Sequence, residues 1–265
     1  MTQYDALGSS YDVMETLPFK ALELHNVLLA IQPLIKPNAA VLEYACGTGY
    51  YCSRLLSWGF SSVTSMDISS PMLSAASVRL SSHIPSGRIR LVLADGRKPQ
   101  SFSPDDSLNY FNVAFGAWFL NYARSKTELT AMFASIALNL KSGGVFVGVV
   151  PHPTENISQR ASVYSKPPLN RLWPRKQYTK ELKSGEGWDL RVFLNDDGVD
   201  FLTWHLKKEI YEQAARDGGM NGKLEWRREL FPGEEWKETY GLTGQDEWRV
   251  REENPHLGIL VVWKD

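Results

Sequence analysis

Val41-Leu42-Glu43-Tyr44-Ala45-Cys46-Gly47-Thr48-Gly49-Tyr50 runs from an apolar stretch through an acid into a glycine turn. A short apolar run closed by glycine reads as a buried strand, and the residues after Gly49 open a helix. Strand, tight loop and helix N-terminus in succession are how an open α/β sheet holds a nucleotide-like ligand at its edge. A side chain at 47 or 49 would keep the backbone from closing over that ligand, and glycine takes positive φ at little cost. What the loop lacks narrows the ligand. A dinucleotide loop wants a third glycine where Cys52 stands, and a phosphate-cradling loop ends in Gly-Lys-Ser/Thr where this chain has Gly49-Tyr50-Tyr51. Glu43, beside the turn, would repel phosphates, so a cationic ligand without phosphate suits it better.

S-adenosylmethionine (SAM), with its sulfonium and ammonium groups, is the common ligand of that kind, and E-x-A-C-G-T-G resembles motif I of the class I SAM-dependent methyltransferases. The order of the following segments agrees. Val63-Thr64-Ser65-Met66-Asp67-Ile68 reads as a second strand ending in an acid, and Ser69-Ser70-Pro71-Met72 supplies a serine N-cap and a first-turn proline for the next helix. Ile89 to Gly96 reads as a third strand ending in Ala94-Asp95-Gly96, Phe111 to Trp118 as a fourth, and Val145 to Val150 as a fifth. The resemblance covers about residues 38–151. It implies that Glu43, Ala45, Cys46, Gly47 and Gly49 bind the cofactor, and that Asp67, with Ile68 beside it, binds the two ribose hydroxyls. It further implies that Met72 faces the adenine, that Ala94, Asp95 and Gly96 meet its amino edge, and that Gly116 and Ala117 flank the methionine part. An ionised aspartate has two oxygens to offer two hydroxyl donors, which makes the ribose role chemically sensible. Ala45 stands where the fuller motif has glycine, which implies tighter packing under the loop.

The fold class expected is α/β, a Rossmann-like seven-stranded sheet of the class I methyltransferase type with a lid and hairpin inserted after the fifth strand. Residues 1–265 read as one domain: an N-terminal helical cap (1–37), a SAM-binding core (38–150), the insertion (151–206), and a C-terminal helix with the last strands (207–265). In the cap, Leu22, Val27, Leu28, Ile31, Leu34 and Ile35 follow helical spacing, which reads as packing. Tyr-Asp occurs twice before it, at Tyr4-Asp5 and Tyr11-Asp12; small-molecule relatives fold such a segment over the methyl group, and Tyr11 is the expected contact. Five prolines in 151–187 predict loop or short helices there. Trp188 to Leu194 and Val199 to Leu206 alternate around Asn195-Asp196-Asp197-Gly198 and predict a β-hairpin. Helix is expected over Lys207 to Arg216, stopped by Gly218-Gly219, and Lys223 to Glu229 and Leu257 to Trp263 are expected as antiparallel last strands. Phe231 to His256 has weak periodicity and no assigned element.

A net charge of −1 gives no field for nucleic acid. The positive run Lys166 to Lys183 reads as solvated loop. Cys46 and Cys52 have neither metal-ligand nor redox spacing, so no metal is expected and a reducing compartment, the cytosol, is. The apolar segment Leu22 to Ile35 is broken by His25, Gln32 and Pro33, which argues against a membrane span. Nothing in the sequence sets an oligomeric state.

Methyl transfer needs alignment and exclusion of water more than it needs acid–base groups, because the donor is already activated. A phenol, enol or amide acceptor gains from a general base, and His152, just past the fifth strand, is the expected one; His25 and His205 read as packing. Trp118 is expected to wall the site, with Asn121 and Tyr122 orienting the acceptor. The segment Gly116 to Ala123 is not Asn-Pro-Pro-Tyr, which argues against methylation of nucleic-acid bases or protein glutamine. From Tyr-Asp through Gly-Ala-Trp-Phe-Leu-Asn-Tyr-Ala the chain looks similar to small-molecule enzymes related to the toxoflavin-pathway N-methyltransferases. The resemblance implies transfer from SAM to a nitrogen or oxygen of a small planar acceptor, with S-adenosylhomocysteine as product. A non-methylating use of the sulfonium and a SAM-binding partner subunit are the competing readings.

Overall fold

In the computed structural model, which describes residues 2–196, 198–233, 236, 242 and 244–265, strand β1 (Ala40–Tyr44) is buried along its whole length. The strands that follow are β2 (Ser62–Asp67), β3 (Ile89–Leu93), β4 (Phe111–Ala117), β5 (Leu140–Pro151), β6 (Arg175–Glu181), β7 (Gly187–Phe193), β8 (Asp200–Leu206), β9 (Leu224–Arg228) and β10 (Leu257–Trp263). Seven of them form one sheet in the order β3-β2-β1-β4-β5-β10-β9. The first five are parallel, and β10 runs antiparallel to both β5 and β9. Burial on both faces is why β1 reads as a continuous apolar run rather than an alternating one.

Helices α1 (Gln3–Leu7), α2 (Pro18–Ile31), α3 (Tyr50–Trp58), α4 (Ser70–Arg79), α5 (Lys126–Asn139), α6 (Ile157–Tyr164), α7 (Lys208–Asp217) and α8 (Gln245–Glu253) complete the elements used below. Adjacent residues of a strand face opposite ways, so β1 divides its side chains between two cores. Val41 packs with Val27, Ile31 and Leu55 of α2 and α3. Leu42 packs with Leu129, Phe133 and Ile136 of α5 and Tyr211 of α7. Strand order reverses between β1 and β4, and a crevice opens at the carboxyl ends of the strands there.

The insertion differs from the expected hairpin. β6, β7 and β8 make a three-stranded antiparallel sheet, with β6 inside the proline-rich stretch expected to be loop or short helices, of which α6 is one such short helix. The prolines fall between these elements rather than within them. Leu190, Val192 and Phe201 join the core on the α2 side, so this second sheet is docked by its own apolar face. The β7–β8 connection is closed by Leu194 N–H donating to Val199 O (2.8 Å) and Val199 N–H to Asn195 Oδ1 (3.1 Å); Asp197 lies outside the described residues. In the unassigned stretch after Phe231, α8 is the described element. No helix of the described residues is long and apolar enough to cross a membrane.

Candidate active site

A cavity of about 360 Å³ occupies the crevice, bordered by the ends of β1, β2 and β4 and the turn after β3, and covered by α1, the segment after it, and β8. The cover is tied down at several points. Gln3 uses both ends of its amide on edge strand β8, donating to Leu202 O (2.8 Å) and accepting from Leu202 N–H (3.0 Å). Ser69 Oγ donates to Asp5 (2.8 Å), while Asp12 accepts from Thr48 Oγ1 (2.7 Å) and pairs with Arg79 (3.1 Å). Both Tyr-Asp pairs thus use their aspartates as anchors and leave their tyrosines to the cavity. Tyr4 and Tyr11 line it and meet edge to face at 5.9 Å, and Tyr4 also meets Tyr122 at 5.6 Å.

The motif loop is organised by Asp67. Its Oδ2 accepts from Gly47 N–H (2.8 Å) and its Oδ1 from Ser69 N–H (2.9 Å), so β2 and the β1–α3 loop share one carboxylate. Each oxygen keeps acceptor capacity toward the cavity, as a group binding two ribose hydroxyls requires. Gly47 lines the cavity at φ +54°, and a Cβ there would meet no protein atom within 4 Å, so the space in front of it is free for a ligand. Gly49 has a different reason to be glycine. At φ +84° it caps α3, and a Cβ would come within 3.0 Å of Leu80 and 3.2 Å of Ala76, so α4 packs where a side chain would stand. Ala45, at φ +54°, carries the left-handed strain that a non-glycine residue bears there, about 1–2 kcal/mol.

Glu43 is 2% exposed and accepts from Ser65 Oγ (2.6 Å). Burial pushes its pKa up to about 8, against the lowering by that hydrogen bond and with a further rise from Asp67. At neutral pH it is largely a neutral acid, which corrects the expectation of a phosphate-repelling charge. Its folded pKa lies above its ordinary 4.5, so the stability it contributes is present in full below pH 4.5 and is lost as pH rises through about 8. Glu43→Gln, which keeps the acceptor for Ser65, is expected to leave Tm unchanged near pH 5 and raise it by about 5 °C at pH 9. Thermal melts at the two pH values decide it; an equal effect at both would show that Glu43 does not titrate in this range.

Trp118 lies just past β4 with φ +61°, a conformation that costs a bulky residue about 1–3 kcal/mol and is found where surrounding contacts hold it. Its backbone N–H donates to Val149 O (2.9 Å) and its indole N–H to Glu23 Oε2 (2.6 Å). Glu23, fully buried on α2, also accepts from Lys20 Nζ (2.5 Å) and the Tyr51 hydroxyl (2.7 Å). Trp118 and Tyr11 line the large cavity, an adjoining recess of about 50 Å³ that includes Glu43, Cys46 and Lys20, and a third cavity of about 30 Å³.

Of the expected residues, Tyr11, Ala45, Gly47, Asp67, Ile68, Met72, Asp95, Gly96, Ala117, Trp118 and Tyr122 line the large cavity. Glu43 and Cys46 line the recess, and Asn121 the third cavity. Asp95 already holds Arg97 through both carboxylate oxygens (2.9 Å each), and those hydrogen bonds keep its pKa below the usual range. Gly49, Ala94 and Gly116 line none of the three; a Cβ at Gly116 would come within 2.9 Å of Phe119. His152 lines none of them either, and burial followed by Arg160 and Arg228 pushes its pKa down to about 4. It is a poor base set apart from the site, because the end of β5 is covered by the second sheet. Residues that sequence reasoning missed include Gln3, Tyr4, Phe119, Leu202 and Trp204. The repeated Tyr-Asp pair was the available signal for Tyr4, and the alternation of β8 for Leu202 and Trp204, which share a face.

Residues 41–144 match the family model described as a methyltransferase domain. No curated protein sequence matches the chain. Solved structures similar to it include one from Listeria monocytogenes, titled as a candidate S-adenosylmethionine-dependent methyltransferase, at 22% identity and TM-score 0.60, covering 92% of this chain and 97% of that one. Others are S-adenosylmethionine-dependent methyltransferases from Mesorhizobium loti (17%, TM-score 0.55, 89% and 96% covered) and Clostridium acetobutylicum (17%, TM-score 0.56, 90% and 89% covered). At these identities the likeness is one of fold: the chain has the Rossmann-like fold of the class I SAM-dependent methyltransferases.

Proposed function

We propose that this protein is a SAM-dependent methyltransferase that modifies a nitrogen or oxygen of a small, planar acceptor. The cofactor is S-adenosylmethionine. The observation that carries the reading is the joint placement of Gly47, Asp67 and Asp95 around one cavity, within the segment that matches a methyltransferase domain. Asp67 would hold the ribose hydroxyls, Met72 and Ile68 the adenine faces, Asp95 and Gly96 its polar edge, and Ala45, Gly47 and Ala117 the methionine part. When bound, SAM supplies a methyl group already activated by its sulfonium. The chain's own contribution is then to align and to keep out water, which Tyr4, Tyr11, Trp118, Tyr122 and Trp204 do by walling the cavity with rings. Those flat walls are what support a planar acceptor, and the position of His152 outside the cavities supports nitrogen over oxygen.

Two measurements test this. Calorimetry with S-adenosylhomocysteine is expected to show binding, and mass spectrometry after incubation with SAM and a panel of planar heterocycles a gain of one methylene. No affinity for the donor or its product would overturn the proposal. Tight binding with no transfer to any heterocycle would favour the partner-subunit reading.

A further inference from the structure

We propose that the recess of about 50 Å³ beside the large cavity receives the amino-acid head of the donor, with its carboxylate on the ammonium of Lys20. The inference rests on the methyltransferase reading and names a binding residue outside the motif loop. Lys20 lies on α2, a helix read from sequence as packing, and its side chain is only 10% exposed. Its Nζ donates to Glu23 Oε1 (2.5 Å) and stands 4.2 Å from the Tyr50 ring and 4.6 Å from that of Tyr51. Both rings line the recess with it.

An ammonium carries three donors. Among the described residues Glu23 is the hydrogen-bond partner of this one, and the ring faces attract the cation without supplying a conventional acceptor. Glu23 is itself divided, since the Tyr51 hydroxyl shares Oε1 and the Trp118 indole takes Oε2. Donor capacity on Lys20 is therefore left for a ligand, and a carboxylate answers it with both charge and oxygens.

The recess lies where that head would fall. Tyr11, Ala45, Gly47, Ala117 and Trp118 line it and the large cavity alike, so the two spaces meet at the glycine turn. Asp67, the proposed ribose acceptor, holds the Gly47 N–H (2.8 Å), and a donor seated on Asp67 would pass its chain over Gly47 into the recess. Room for about three water-sized groups suits two carboxylate oxygens and a nitrogen, and excludes a ring.

Neighbouring charges leave the role to Lys20, the one cation that lines the recess among the described residues. Arg97, in the large cavity, is held by both oxygens of Asp95. Of the acids on the recess wall, Glu15 pairs with Arg79 (2.6 Å), and Glu43 accepts from Ser65 (2.6 Å). Lys176, also buried although its stretch reads from sequence as solvated loop, lines neither space and donates to His256 O (2.7 Å).

The test is calorimetry on the full chain with S-adenosylhomocysteine and with decarboxylated S-adenosylhomocysteine, which keeps the amine and lacks only the carboxylate. The parent is expected to bind the first about 10- to 100-fold more tightly. In Lys20→Met that ratio should fall to about one or below; a merely structural role for Lys20 would weaken both ligands alike and preserve the ratio. Should Lys20→Met fail to fold, the double variant Lys20→Met with Glu23→Gln carries the test, because it removes both buried charges and keeps an acceptor for Tyr51 and Trp118. Equal affinities in the parent, or a carboxylate preference that survives in either variant, would overturn the inference. A parent that binds neither ligand would instead remove the methyltransferase reading beneath it.

Discussion

Glu23→Ala is expected to lower stability by about 3–5 kcal/mol, the range for removing one partner of a buried ion pair, and to lower Tm by about 10 °C. One buried carboxylate satisfies three donors: Lys20 Nζ, the Tyr51 hydroxyl and the Trp118 indole. Removing it leaves an ammonium that is only 8% exposed without its partner and frees a tryptophan whose left-handed backbone these contacts help to hold. Affinity for S-adenosylhomocysteine should fall as well, because Trp118 lines the cavity proposed for the donor. Glu23→Gln, which keeps an acceptor but loses the charge, should give an intermediate loss. Melting curves and near-ultraviolet circular dichroism of the three proteins provide the comparison. A Tm for the alanine variant within about 2 °C of the parent would mean the cluster contributes little.

Asp67→Ala is expected to weaken binding of S-adenosylhomocysteine by about 100-fold, or about 2–3 kcal/mol. Two causes add: on the proposed reading the ribose loses its acceptor, and the loop loses the carboxylate that joins Gly47 N–H to Ser69 N–H. Asp67→Asn retains one oxygen and should recover part of the loss. Burial raises the pKa of Asp67 despite those backbone donors, so binding should begin to fail on acidification above the usual aspartate range. Calorimetry across pH with both variants checks this. An alanine variant that binds like the parent would place the ribose elsewhere.

Much of the cavity's lining was legible because its code is local. The strand at 41–44 and Gly47 after it read directly from an apolar run and a glycine turn, while the strands at 63–67 and 89–93, which contain polar residues, and Asp67 were reached through the segment order that the resemblance implies. Where local code misled, a distant partner was responsible. Glu43 carries an acid's formal charge in sequence, but two parallel neighbours bury it and neutralise it. Nothing in the local sequence singles out Glu23, and only the approach of Trp118, 95 residues away, gives it a purpose. His152 was placed correctly at the end of β5, yet the second sheet covers that end.

The sequence by itself determined the buried first strand and the glycine turn after it, since period and turn chemistry act between near neighbours, and through its family resemblance it pointed to the seven-stranded sheet and to residues that line the crevice's cavity. Tertiary structure alone decided which ionisable side chains are buried, and with it the raised pKa of Glu43. Desolvation of Glu43, Glu23 and Lys176 is imposed by segments far apart in the chain, and no local pattern records it.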